Sequence, residues 1–271
     1  SNLTLNSYLN LRGYTETIGG LSGNSSGFLY SNPGSGTLHI GYGGADGSYE
    51  GRILDNGGQV SIVKVGTGTQ VFSGLTNIYT GATRVEGGTL LVNGVHAGGG
   101  DYTVKSSATL GGTGTIGGAT TIESGGILSP GESLGLLSFT NNVTLEEGAT
   151  LAWEFLQPGA AGTDYDSIAG TDLILPETGT VNLNIAGLDG YTIKAGDSFT
   201  LFEGDVYQGS TLLALGTDIT DLFTISDNIG WWGSWEVSTG SLILTAVPEP
   251  STLLLLAALA GMLLTRRRGT V

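Results

Sequence analysis

The chain has 271 residues, of which 49 are Gly and none is Cys, and its formal net charge is −15 at pH 7. The Gly residues lack the Gly-X-Y period of collagen, and Val, Ile and Leu recur throughout, so neither a triple helix nor a disordered chain is expected. The acidic balance excludes nucleic-acid binding, because a phosphate backbone would be repelled, and the lack of Cys excludes disulfides, thiol nucleophiles and Cys-ligated zinc.

The charge is unevenly placed. Residues 1–144 hold eight acids and five bases, whereas residues 145–265 hold sixteen acids against Lys194 alone. Arg266, Arg267 and Arg268 then stand together near the C-terminus. The chain opens Ser1-Asn2-Leu3 with no basic-then-apolar leader and reads as a fragment or processed form.

From the N-terminus onward, short β-rich runs alternate with Gly, Asn, Ser and Thr. Strands are predicted at Thr37–Ile40, Val60–Val63, Thr89–Val92 and Thr180–Ile185. Four segments share a small-residue corner followed by Leu, with the markers at Leu90, Leu110, Leu128 and Leu151, in steps of 20, 18 and 23 residues. Such a period is the signature of a solenoid, in which each coil holds about three short strands and pairs with the next at about 4.8 Å. Gly suits the corners because it has no Cβ to clash where backbones stack. Inward positions should form columns of Leu, Val and Ile; outward positions should carry Thr, Ser and Asn.

The segment from Val71 to Gly94 resembles an autotransporter-associated β-strand repeat. Tyr79-Thr80-Gly81 and Gly87-Gly88-Thr89-Leu90 carry most of the likeness, and weaker copies run to about Phe155. The resemblance implies a parallel β-helix of the passenger type. The expected fold is therefore all-β: a right-handed parallel β-helix over 1–145, then terminal coils and a β cap over 146–246, with last strands near Leu222–Ile225 and Leu242–Thr245.

Within 146–246, Leu175-Pro176-Glu177-Thr178-Gly179 spells a sortase-type motif, but no apolar span follows it, so a turn is expected. Asp164 and Asp166 are the calcium candidates, since a strand through Asp164-Tyr165-Asp166 would put two carboxylates on one face; a solvated acidic loop is the preferred reading. Trp231, Trp232 and Trp235 form the densest aromatic cluster. They are read as closing the end of the β core, with a glycan-stacking platform as the alternative.

The last segment, 247–271, has three parts. Val247-Pro248-Glu249-Pro250-Ser251-Thr252 is extended, because its prolines forbid helix. An apolar run over 252–265 follows, about 21 Å long as a helix against a hydrocarbon core of about 30 Å, so it is a short span helped by snorkelling arginines. Arg266, Arg267 and Arg268 complete it, and the positive-inside rule places them in the cytoplasm and the body outside.

This order resembles the PEP-CTERM sorting domain. The resemblance implies recognition by an exosortase-type membrane transpeptidase, cleavage near the motif and delivery to the cell surface, with this chain acting as substrate. The expected protein is an exported surface or extracellular-matrix structural or adhesin-like molecule, held at the inner membrane by its C-terminal helix before processing. No catalytic residue, metal or cofactor is assigned. His39 and His96 are the only His and lie in ordinary repeat texture. The alternative is a surface-anchored β-helical polysaccharide lyase or hydrolase, or a carbohydrate-binding module; extracellular polysaccharide is the partner that either role suggests.

Overall fold

The computed structural model describes residues 1–188, 190–229, 231, 234–239 and 242–247. The strands are short, and their order follows from the corners. Each run of alternating apolar residues is broken by Gly, Asn or Ser after a few residues, too soon for a long hairpin. The strand instead pairs with its counterpart one coil later. Thus Gly36–Ile40 pairs in parallel with Val60–Lys64, and Gly88–Val92 pairs with Ala108–Gly112.

Among the described residues, two long sheets and two short ones result. Named strand pairs are parallel from Leu3 up to Ser198–Gln208, a pattern consistent with a β-helix or solenoid. The marker leucines form one inward column. Leu90 is in register with Leu110, Leu110 with Leu128, Leu128 with Leu151, and Leu151 with Leu183. All five are buried, and dispersion along the column adds to the area removed from water.

At one corner the glycines stack. A Cβ on Gly74 would overlap the carbonyl oxygen of Gly51, one on Gly94 that of Gly74, and one on Gly114 that of Gly94. The coils approach too closely there for any side chain.

The same sheets run on past residue 145. Thr150–Phe155 pairs in parallel with Val181–Gly187, which pairs with Phe223–Asp227. These coils are wider and are filled by rings: Trp153 packs edge-on to Phe199 at 5.0 Å and stacks on Phe155 at 5.5 Å between centroids. The sheet then changes direction. Leu242–Val247 pairs antiparallel with Ser198–Gln208 on one side and with Ser234–Ser238 on the other, which covers an edge that parallel stacking would leave open. The sortase-like residues 176–179 form a bend between Ser167–Leu175 and Val181–Gly187, with Gly179 at φ +77°.

Candidate functional site

Val247 is the last described residue and lies within the sheet. It is in register with Ser234, and its neighbour Ala246 is held by two backbone bonds: Gly196 N–H donates to the Ala246 carbonyl at 2.8 Å, and Ala246 N–H donates to the Asp197 carbonyl at 2.9 Å. The next residue, Pro248, has no N–H and cannot continue a ladder. The motif thus starts on a strand residue that is still paired to the body. Pro248, Glu249, Pro250, Ser251 and Thr252 lie outside the described residues, as do Arg266, Arg267, Arg268 and the apolar run 252–265. Among the described residues no helix is long and apolar enough to cross a membrane.

Of the three tryptophans, Trp231 is partly buried against the core, Trp235 has its backbone paired with Ala246, and Trp232 lies outside the described residues. Asp164 lies in a turn, in keeping with the preferred loop and not with the strand that a calcium pair requires, but Asp166, just past the bridge at Tyr165, is not solvated. Asp164 is half-buried, accepting from Ala160 N–H at 2.7 Å and from the Gln157 amide at 2.9 Å. Asp166 is fully buried, and its two oxygens accept from the N–H groups of Gly135 and Glu154, each at 2.9 Å. Its backbone carbonyl takes the Trp153 indole N–H at 2.6 Å. Burial pushes the Asp166 carboxyl up to about 8, while the two backbone donors pull it down. One carboxylate therefore ties down a half-buried turn and the other is sealed in the core. Among the described residues, no group of three or more His, Asp or Glu gathers as a metal site.

A set of buried polar groups escaped the sequence reading, and it concentrates in one coil. Lys64 is fully buried, and its ammonium donates to the carbonyls of Val65, Gly66 and Gly87 at 2.9, 3.2 and 3.0 Å. Burial lowers its pKa, and nearby Asp46 opposes that shift. Gln70 stands in the leucine column between Gly47 and Leu90, and its amide both accepts from Leu21 N–H at 3.0 Å and donates to the Leu21 carbonyl at 2.8 Å. The bare Gly47 leaves room for that reach. Asn77 similarly accepts from Ile53 N–H at 2.8 Å and donates to the Gly74 carbonyl at 2.9 Å. Each side chain satisfies backbone groups that an irregular corner leaves without a ladder partner.

Deeper in the same coils, the Tyr79 hydroxyl bonds the Thr83 hydroxyl at 2.7 Å and the Tyr102 hydroxyl at 3.1 Å, and the Tyr102 hydroxyl meets His96 Nδ1. His96 Nε2 has no partner, and burial pushes this imidazole down to about 3, so it is neutral at ordinary pH. Burial likewise raises the Tyr79 and Tyr102 phenols. The arrangement fixes side chains in the core and leaves His96 only 3 % exposed, out of reach of a bulky substrate. The one available signal was the presence of Gln, Asn and His at inward positions of an alternating pattern.

Fold and exit point together define a class: a stacked parallel β protein whose closing hairpin feeds directly into a Pro-rich, apolar and basic tail. Two stretches match known families. Residues 246–268 match the model of the PEP-CTERM protein-sorting motif, and residues 62–92 match that of the passenger-associated-transport-repeat. The second stretch holds Lys64, Gln70, Asn77, Tyr79 and Thr83, and it covers one full coil and part of the next, since Thr83 sits in register on Ile62 and Val92 on Phe72. No curated protein matches the chain.

Proposed function

We propose that this is an exported protein of the cell envelope, sorted and cut at its C-terminal segment by an exosortase-type membrane transpeptidase, whose body serves as a structural or adhesin-like element at the cell surface or in the extracellular matrix. The observation that carries the reading is the position of the sorting-motif match, which begins at Ala246, the residue clamped to Asp197 at the end of the sheet. A protease-like partner needs an extended substrate clear of a folded body, and Pro248 and Pro250 favour extension and cannot donate to a ladder. Residues 252–265 act as a single short membrane helix before processing, and Arg266, Arg267 and Arg268 hold its end in the cytoplasm. The body divides into repeats over 1–145, terminal coils and cap over 146–246 and the signal over 247–271, and the β-helix is right-handed.

The protein performs no catalysis in this reading. The burial of His96 and the separation of Asp164 from Asp166 support that view. The test is a Pro248→Ala/Glu249→Gln double variant in cells with an active exosortase. The tail-bearing precursor should accumulate in the membrane fraction, with loss of the surface form on immunoblots. Unchanged processing and unchanged surface display would overturn the assignment.

A further inference from the structure

The three-stranded sheet of Tyr8–Asn10, Phe28–Tyr30 and Arg52–Ile53 carries an aromatic platform on its outer face. Tyr8, Phe28 and Arg52 are stacked in register over three coils, with Tyr30 beside them. Phe28 and Tyr30 lie nearly parallel, 23° apart with centroids at 5.6 Å, and Tyr8 sits 6.0 Å from Phe28 and 6.5 Å from Tyr30. Tyr8 is 64 % exposed, so this is not core that happens to reach the surface. The Arg52 guanidinium lies 5.9 Å from the Phe28 ring centre. Beyond it the surface drops into a groove of about 470 Å³ lined by Ser25, Glu50, Arg52, Ser73, Leu75 and Thr76.

Glu50 and Arg52 are both exposed, yet among the described residues neither side chain makes an ion pair or hydrogen bond. A ligand for this surface needs a flat apolar face for the rings and, next to it, groups that both donate to Glu50 and accept from Arg52. A pyranose has that combination: C–H groups on one face and hydroxyls around the rim. The exposed Glu50 carboxylate beside the rings would repel the acid groups of a polyanion or an anionic membrane surface, whereas a neutral ligand can bond both Glu50 and Arg52.

We propose that this face binds a neutral polysaccharide strand lying along the coil axis, its rings stacked over Tyr8, Phe28 and Tyr30 and its hydroxyls bonded by Arg52 and Glu50. The site lies on the first three coils, far in sequence from the Trp231 cluster.

The experiment is native affinity electrophoresis of the full chain, kept in mild detergent, through gels holding mixed-linkage β-glucan, mannan or galactan, with alginate as the acidic comparator. At least one neutral glycan should retard the protein. Tyr8→Ala and Arg52→Gln should each weaken retardation about fivefold or more, whereas Tyr42→Ala, which removes an equally exposed ring at another corner, should not. Arg52→Gln removes no core contact, so it remains informative if Tyr8→Ala lowers stability. No retardation by any neutral glycan, retardation by alginate alone, or full binding by the Tyr8→Ala/Arg52→Gln double variant would overturn the proposal. The assay uses purified protein, so its result is independent of whether the tail is processed in cells.

Discussion

At the scale of single residues, Asp166 links the interior to pH. Its folded pKa of about 8 lies above the ordinary 3.8, so between these values the folded state holds a proton that the unfolded state has released. Stability from this group is complete at low pH and is lost as pH rises toward 8. Asp166→Asn, which mimics the neutral acid, should flatten that slope. Thermal melts at pH 5 and pH 8 should differ less for the variant than for the parent, and an equal difference would show that another group is responsible. His96 works in the opposite sense. Its pKa is depressed from 6.5 to about 3, so its contribution is present above 6.5 and lost as pH falls toward 3.

At the scale of the element, each coil is held by an inward column and a tight corner. Leu110 is fully buried between Leu90 and Leu128, so Leu110→Ala should cost about 3–5 kcal/mol in chemical denaturation, the lost transfer energy plus a cavity that stacked neighbours cannot collapse. Gly94→Val should destabilise by about 2 kcal/mol or more, because the new Cβ has nowhere to go but into the Gly74 carbonyl. A loss well under 1 kcal/mol at either position would mean that the coils can separate more freely than their packing indicates. Gln70→Leu is a subtler case. It restores the apolar column but strands the backbone groups of Leu21, so the apolar substitution should be the destabilising one.

At the scale of the whole molecule, the hairpin of Ser234–Ser238 and Leu242–Val247 covers the outer edge of Ser198–Gln208. Deleting residues 234–271 uncovers that edge, and the shortened chain should sediment as larger oligomers or aggregates than a 1–247 chain, which lacks only the tail, at the same concentration. A monodisperse truncated protein would assign the hairpin no role in capping. The same hairpin ends at Val247, the second residue of the sorting-motif match, so the element that covers the edge also leads into the signal in sequence.

The alternation of apolar residues, the Leu steps and the Gly corners placed strands at Thr37–Ile40, Val60–Val63, Thr89–Val92 and Thr180–Ile185, within two residues of the observed Gly36–Ile40, Val60–Lys64, Gly88–Val92 and Val181–Gly187, because period two and the need for a Cβ-free corner are local properties of the chain. The C-terminal signal was legible for the same reason: its Pro, apolar and Arg blocks act in linear order. What local pattern did not determine was which distant groups meet. Only the stacking of coils separates Asp164 from Asp166, brings Gln70 to the backbone of Leu21 and sets Tyr8 over Phe28 and Arg52. Registers between coils depend on insertions of variable length at the corners. A contact across 18 to 49 residues is therefore decided by how the coils pack, and the sequence by itself determines only that they can.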